Sequence, residues 1–413
     1  MLEDGDIDTL NPGLQPIEHD LDFQPLHAAM QRYVDDNILS CVSTLIMQGT
    51  ELLDFQTFGY MELEQQRPLA ADAIYRMYSN TKIVTSVALM MLYEQGRFDL
   101  DDELGRYLPE FSDPVVLRAD ARSPTEVEAA TSPVRVRHLL SHSAGLSYGF
   151  IEPDSVIDRA YMSGGLDPLS QFDVDLEEYC HRIARQPLAY QPGSGWRYSV
   201  ATDVCARLIE VLSGQRFDAY LHQHIFQPLG MTDTDFWVPP DKAQRFVTMY
   251  APTDLLDPMQ PGLVKADDPL AGQYNRPRKL LSGGGGLVST VADYTTLLRV
   301  LVNGGEWQGV RLLQSDTLRL MRTNQLAPGV EVAFPFWSMP GTVFGLGFAL
   351  RDTLTATDPP GALNEYHWGG MAGTHSWMAP KAGITGFCLT QRMPGFWHPF
   401  SHEFRACAYG IAG

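Results

Sequence analysis

Lysine is scarce in this chain. Only five of its 30 basic side chains are lysines (Lys82, Lys242, Lys265, Lys279 and Lys381), and the remaining 25 are arginines. Basic charge as a whole is short as well, because 50 acidic residues give a formal net charge of −20 over 413 residues. So acidic a chain lacks the footprint that holds phosphate backbones, and anionic lipid repels it, which disfavours nucleic acid and membrane surfaces as partners. No uninterrupted apolar run approaches the ~18 residues a spanning helix needs. The start, Met-Leu-Glu-Asp-Gly-Asp-Ile-Asp, is acidic where a secretory leader would be basic and then apolar, so a cytoplasmic location is the default expectation. The five cysteines, Cys41, Cys180, Cys205, Cys388 and Cys407, are odd in number and form no CxxC pair, which signals neither a disulfide framework nor a zinc site.

What is present is ordinary for a globular protein. Hydrophobic residues make up 44% and charged residues 19%, too apolar for disorder. At this length two lobes are more economical than one core. Residues 1–20 read as a polar arm and 24–36 as an amphipathic helix. Cys41–Met47 and Leu52–Tyr60 read as a hairpin. The strongest helical periodicity lies between Asn80 and Gln95, with Gly96 at its end. Further helices are expected over Ser199–Leu212, Phe217–Gln227, Ala292–Val302 and 399–410. Strands are expected over 344–350, 364–368, 375–379 and 384–391. The stretches 112–134 and 251–279 read as a surface excursion and as a long loop expected to wall a pocket. Strands at both ends with helices between suggest one sheet formed by residues 1–79 and 281–413, with 80–280 inserted as a mainly helical lobe.

Ser79-Asn80-Thr81-Lys82 carries the most chemistry. At a helix start, positions i and i+3 share a face, so the hydroxyl and the amine can meet. A serine is a weak nucleophile until a base takes its proton, and arginine cannot be that base. Lys82 is also the single lysine before Lys242, and it is followed by an apolar helix where an idle charge would be costly. The bland alternative is a capping serine followed by a solvated lysine.

Three more segments join this one: Tyr198-Ser199-Val200 before a helix, His367-Trp368-Gly369-Gly370 before a strand, and His138-Leu139-Leu140-Ser141-His142-Ser143-Ala144-Gly145-Leu146. In order and spacing the set resembles the serine β-lactamase and penicillin-recognising superfamily, most of all the class C β-lactamase-like esterases known as family VIII carboxylesterases. The resemblance spans residues 25–410. It implies an α+β, β-lactamase-like fold, with an antiparallel sheet flanked by helices and an inserted helical lobe. It also implies hydrolysis of small carboxylic esters through an acyl-serine, without metal or cofactor. Ser79 would be the nucleophile, Lys82 a base or proton relay, and Tyr198 the group that serves the leaving alkoxide. Lys82 and Tyr198 both remain open as the acylation base. The backbone N–H groups of Ser79 and Met371 would form the oxyanion hole, with Trp368, Gly369, Gly370 and His375 at the substrate.

The sequence departs from the lactamase pattern at two points. Trp368-Gly369-Gly370 replaces a Lys-Thr-Gly strand motif, and Val200 replaces the amide of a Tyr-x-Asn motif. A lost cation and a lost amide favour an uncharged, apolar ester over a lactam. Acyl transfer to an alcohol, weak β-lactam or D-amino-acid peptide hydrolysis, and a non-catalytic protein of the same fold stay open as alternatives. His142, His367 and His375 read as structural or substrate-wall residues, and His222 and His224 do not share a helix face for a metal. The run Gly283–Gly286 reads as a turn near the cleft. Trp337, Trp368, Trp377 and Trp397, with Phe334, Phe336 and Phe344, are candidates for core packing or an aromatic pocket, and Trp368 is favoured for the pocket.

Overall fold

The computed structural model describes residues 12–166, 173–335, 337–396 and 398–413. Residues 1–11 of the expected arm, and the aromatic positions Phe336 and Trp397, lie outside these.

Both chain ends meet in one eight-stranded sheet. Its strands are β1 (Cys41–Gln48), β2 (Glu51–Glu62), β3 (Arg67–Pro68), β4 (Thr342–Phe344), β5 (Ala349–Arg351), β6 (Tyr366–Gly370), β7 (Thr374–Ala379) and β8 (Ile384–Leu389). The order across the sheet is β4-β5-β6-β7-β8-β1-β2-β3, and every pairing is antiparallel. The seam between the two ends is β1 against β8, with Ser43 opposite Leu389. β1 is buried on both faces along nearly its whole length, because helices cover both sides. On the outer face, α1 (Gln24–Asp35) and α5 (Pro399–Ala412) pack on Val42, Ile46, Trp377 and Cys388. On the inner face, Leu45, Met378, Phe387 and Leu389 join the main core with α2 (Thr81–Glu94).

α2 is apolar on almost every side, with eleven of its residues buried. Such a helix needs partners all round. The sheet supplies one, and α3 (Ala201–Ser213) and α4 (Val291–Val302), both in the same core, supply others. No helix among the described residues is long and apolar enough to cross a membrane.

The expected strand 344–350 is two short strands joined by a tight turn, β4 and β5. The turn is forced by its surroundings. A Cβ on Gly347 (φ +97°) would lie 2.3 Å from Ser86 Oγ of α2, and one on Gly345 would lie 2.1 Å from the Met321 carbonyl. The middle segment also contains strand pairs that periodicity did not show. Val115–Leu117 pairs with Val127–Ala129 within the expected excursion. Met249–Pro252 pairs with Leu263–Asp267 within the expected loop.

Candidate active site

Ser79 lies in a one-turn 3-10 segment, Tyr78–Asn80, that runs directly into α2. Tyr78 has φ +44°, an uncommon value for a residue with a side chain. The strain is held by hydrogen bonds from the sheet. Asn80 Nδ2 donates to the Thr374 carbonyl (2.9 Å) and to Thr374 Oγ1 (3.1 Å), and Asn80 Oδ1 accepts from Ser376 Oγ (2.9 Å). Thr374 Oγ1 in turn donates to the Met77 carbonyl at 2.9 Å. β6 ends against the same turn. A Cβ on Gly370 would sit 2.4 Å from the Met77 carbonyl, so only glycine allows the strand this close. Ser79 and Met371 consequently line one cleft.

Lys82 is 2% exposed. Its Nζ donates to the Gly284 carbonyl at 2.6 Å, to Tyr148 Oη at 3.0 Å and to Ser79 Oγ at 3.3 Å. An ammonium has three donors and no acceptor, and here each donor meets an acceptor. Tyr198, just before α3, donates its hydroxyl to Ser79 Oγ at 2.6 Å. The same oxygen accepts the Trp368 indole N–H at 3.2 Å. Lys82 Nζ also stands 4.7 Å from the centre of the Tyr198 ring. Ser79 and Lys82, expected from their chemistry, and Tyr198, expected from the resemblance, are therefore together.

Several of their supports were not visible in the sequence. Burial pushes the Tyr148 phenol well above its ordinary range, so it meets Lys82 as a neutral acceptor. Tyr148 lies two residues beyond the segment that carried the family resemblance. Asp203 is fully buried in α3, where Oδ1 accepts from Ser282 Oγ (2.6 Å) and from the Gly284 N–H (3.1 Å). Burial raises its carboxyl above the usual range, and the nearby charge of Lys82 opposes that rise. Asp203 thus fixes the loop whose carbonyl receives the lysine. The Gly283–Gly286 run is a part of the cleft, with Gly284, Gly285 and Gly286 on its lining.

Trp368 and His375 are not on the lining of the cleft in front of Ser79. Trp368 is 1% exposed and lies behind Tyr198, with the ring centroids 5.2 Å apart. His375 is on the other face of the sheet, because β6 and β7 pair Trp368 with Ser376 and Gly369 with His375. Its ring lies over Gly369, where a Cβ would come within 2.4 Å of Nδ1. Gly369 therefore makes room for His375. The wall in front of Ser79 is built instead by Tyr148, Phe150, Ile151, Tyr274, Phe334, Trp337 and Phe396, with Arg278 as the charged residue among the described lining. The space is about 940 Å³ including its open mouth. The region 251–279 reaches this wall through Tyr274 and Arg278.

The histidines do not reach Ser79. His142 Nδ1 pairs with Ser199 Oγ at 3.1 Å, and its ring packs on Tyr198 at 5.1 Å. Burial, with the charge of Lys82 added, holds it well below the ordinary histidine range. Burial likewise depresses His367 and His375 to about 3. The sequence also holds a second serine motif. Gly145-Leu146-Ser147-Tyr148-Gly149 has the Gly-x-Ser-x-Gly spacing of an α/β-hydrolase elbow. Ser147 is fully buried and binds Asp158, and it accepts from Arg197 Nε at 2.7 Å. It pins the loop that presents Tyr148 and the residue before Tyr198.

A serine at a helix start, a lysine one turn on and a tyrosine just ahead of a second helix, all beside an antiparallel sheet, define the β-lactamase-like class of serine enzymes. The chain belongs to the Beta-lactamase family, which it matches over residues 26–406. It is 30% identical over 394 residues to Esterase EstB of Burkholderia gladioli, covering 91% of this chain and 93% of that one. It is 27% identical to Acyltransferase calJ of Penicillium decumbens, over 85% of this chain and 83% of the relative. Among solved structures it superposes on EstCE1, described as a hydrolase with promiscuous acyltransferase activity, with TM-score 0.78 and 26% identity. That superposition covers 93% of this chain and 97% of EstCE1.

Proposed function

We propose that Ser79 is acylated by small carboxylic esters and that Tyr198 moves the protons of both half-reactions. The chain is a serine hydrolase of the carboxylesterase type, and the observation that carries the assignment is the Ser79–Lys82–Tyr198 constellation opening onto an apolar, aromatic cleft. In acylation Tyr198 Oη takes the Ser79 proton, so the tyrosine acts with its own proton already removed. The Trp368 N–H donates to the same oxygen, and Lys82 lies against the tyrosine ring. Ser79 Oγ attacks the ester carbonyl carbon while its proton passes to Tyr198 Oη. The carbonyl oxygen becomes an oxyanion, received by the N–H groups of Ser79 and Met371. The C–O bond to the alcohol then breaks, and Tyr198 returns the proton to the departing alkoxide. Water cleaves acyl-Ser79 by the same route, giving its proton to Tyr198, which passes it to Ser79 Oγ as the acid leaves.

The test is a p-nitrophenyl ester chain-length series with Ser79→Ala as control, together with intact-mass detection of a phosphonate on Ser79. Turnover undiminished in Ser79→Ala, or a label on another residue, would overturn the assignment. The acyltransferase relatives favour a second reading, in which an alcohol takes the place of water on the same acyl-enzyme. Product analysis with a competing alcohol separates the two. A mixture containing free acid alone would exclude transfer to that alcohol.

A further inference from the structure

Phe334 and Trp337 face each other across a small hairpin, Ala333–Phe334 paired with Trp337–Ser338. Directly opposed residues in a two-stranded ribbon project from the same face, and the next pair projects from the other. The two faces have different surroundings. Ala333 and Ser338 are exposed, while Phe334 and Trp337 are half-buried and line the cleft. The base of the hairpin is fixed. Val332 and Met339 flank it as buried residues, the Met339 N–H bonds the Val332 carbonyl at 3.2 Å, and the Val332 N–H reaches the Thr342 carbonyl at 2.8 Å. The two rings stack with centroids 5.7 Å apart and planes 18° from parallel. Phe334 then stands edge-on to Tyr198 at 5.6 Å, and both flap rings stand edge-on to Phe396.

We propose that this hairpin is a specificity flap for the alcohol half of the substrate, selecting aryl-methyl esters such as benzyl esters over saturated esters of the same bulk. The inference rests on the reading that Tyr198 serves the leaving group. The acyl half stays bonded to Ser79 while the alcohol departs on the Tyr198 side, so a group seated against Phe334 belongs to the alcohol. Burial of apolar area barely separates a phenyl from a cyclohexyl ring. Offset and edge-to-face contacts with a stacked aromatic pair do separate them, because they depend on the ring quadrupole.

The experiment compares kcat/KM for benzyl acetate with cyclohexylmethyl acetate, and for ethyl phenylacetate with ethyl cyclohexylacetate, in the native enzyme, Trp337→Leu and Trp337→Phe. Each ratio is measured within one preparation, so a partly inactive variant does not distort it. The native enzyme should prefer benzyl acetate over its saturated counterpart by about tenfold. Trp337→Leu should bring that ratio to about twofold or less, and Trp337→Phe should restore most of it. The acyl-side ratio should stay within about twofold in all three. A native benzyl ratio near one, a ratio unmoved by Trp337→Leu, or an effect that follows the acyl pair would overturn the inference. If Trp337→Leu does not fold, Phe334→Leu provides the same ratio. Ester hydrolysis without aryl preference defeats this inference alone. Absence of both hydrolysis and phosphonate labelling defeats the ester-hydrolase reading and takes this one with it.

Discussion

The hydroxyl of Tyr198 is 2.6 Å from Ser79 Oγ, nearer than the Lys82 amine at 3.3 Å. The amine is also committed elsewhere, to a carbonyl at 2.6 Å and a phenol at 3.0 Å. This division of partners favours the proposed reading, with Tyr198 as the proton carrier and Lys82 as the fixed charge beside it. Tyr198→Phe should lower kcat by about 10²–10⁴-fold, the range for losing a general acid–base group, with the melting temperature nearly unchanged. Lys82→Arg should lose at least about 10²-fold in acylation, because a planar fork in a buried site cannot meet three acceptors arranged around a point. Stopped-flow acylation with a p-nitrophenyl ester measures both. Near-native rates in Lys82→Arg would show that charge alone suffices there.

In the proposed reading Trp368 acts through Tyr198, as a positioning residue. Trp368→Phe keeps a ring behind the phenol and removes the N–H that the phenol oxygen accepts. A hydrogen bond to an oxygen that becomes charged is worth about 1.5–3 kcal/mol, so kcat should decline about 10–100-fold. KM should change much less, because the indole is not on the cleft lining. A variant whose KM rises while kcat holds would return Trp368 to the substrate wall.

Gly284 is where Lys82 and Asp203 meet. An added Cβ would fall 2.7 Å from Asp203 Oδ2 and 2.8 Å from Tyr148 Oη, and neither is the end of a flexible chain. Gly284→Ala must therefore displace the carbonyl that receives Lys82. Overpacking of this kind costs about 1–3 kcal/mol of stability. The activity loss should exceed what that cost explains, with kcat down by at least about 10²-fold in protein that is still fully folded. Urea melts and active-site titration separate the two effects. Full activity in a destabilised variant would sink the argument.

The candidate reacting groups were legible in the sequence because their chemistry is local or restrictive. Ser79 and Lys82 sit one helical turn apart, and a lysine in an arginine-rich chain points to a need for an amine. Tyr198 came with its motif. The supports were hidden because they are distant in sequence: Tyr148 is 66 residues from Lys82 and Gly284 is 202 residues away. Strand parity places His375 away from the cleft, and burial behind Tyr198 keeps Trp368 off its lining. Trp368 and His375 both belong to strand segments near the site, but the pairing sends them to opposite faces, and a one-residue offset decides which side a residue sees. The strands that hold Phe334 and Trp337 are two residues each, too short to leave any alternation to read.

Asp293 supplies a pH dependence away from the catalytic groups. It lies in the first turn of α4, 6% exposed, with Oδ2 accepting from the Asp233 N–H at 2.7 Å and from Thr234 Oγ1 at 2.9 Å. Burial outweighs those bonds and pushes its carboxyl up to about 6. An acid whose folded value is raised binds its proton more tightly in the folded state. Its contribution to stability is complete below about pH 4 and is lost as the pH rises through about 6. A rise of two units corresponds to about 3 kcal/mol. Asp293→Asn removes the ionisation and keeps an oxygen to accept the same donors. Stability measured by urea unfolding at pH 4.5 and at pH 7.5 should therefore move in favour of the variant by about 2 kcal/mol between the two, relative to the native protein, because part of the effect is already lost at pH 4.5. Subtracting the native protein cancels the other titrating groups the two chains share, so a difference that stays flat with pH would show that Asp293 is ionised as readily in the folded chain as in the unfolded one.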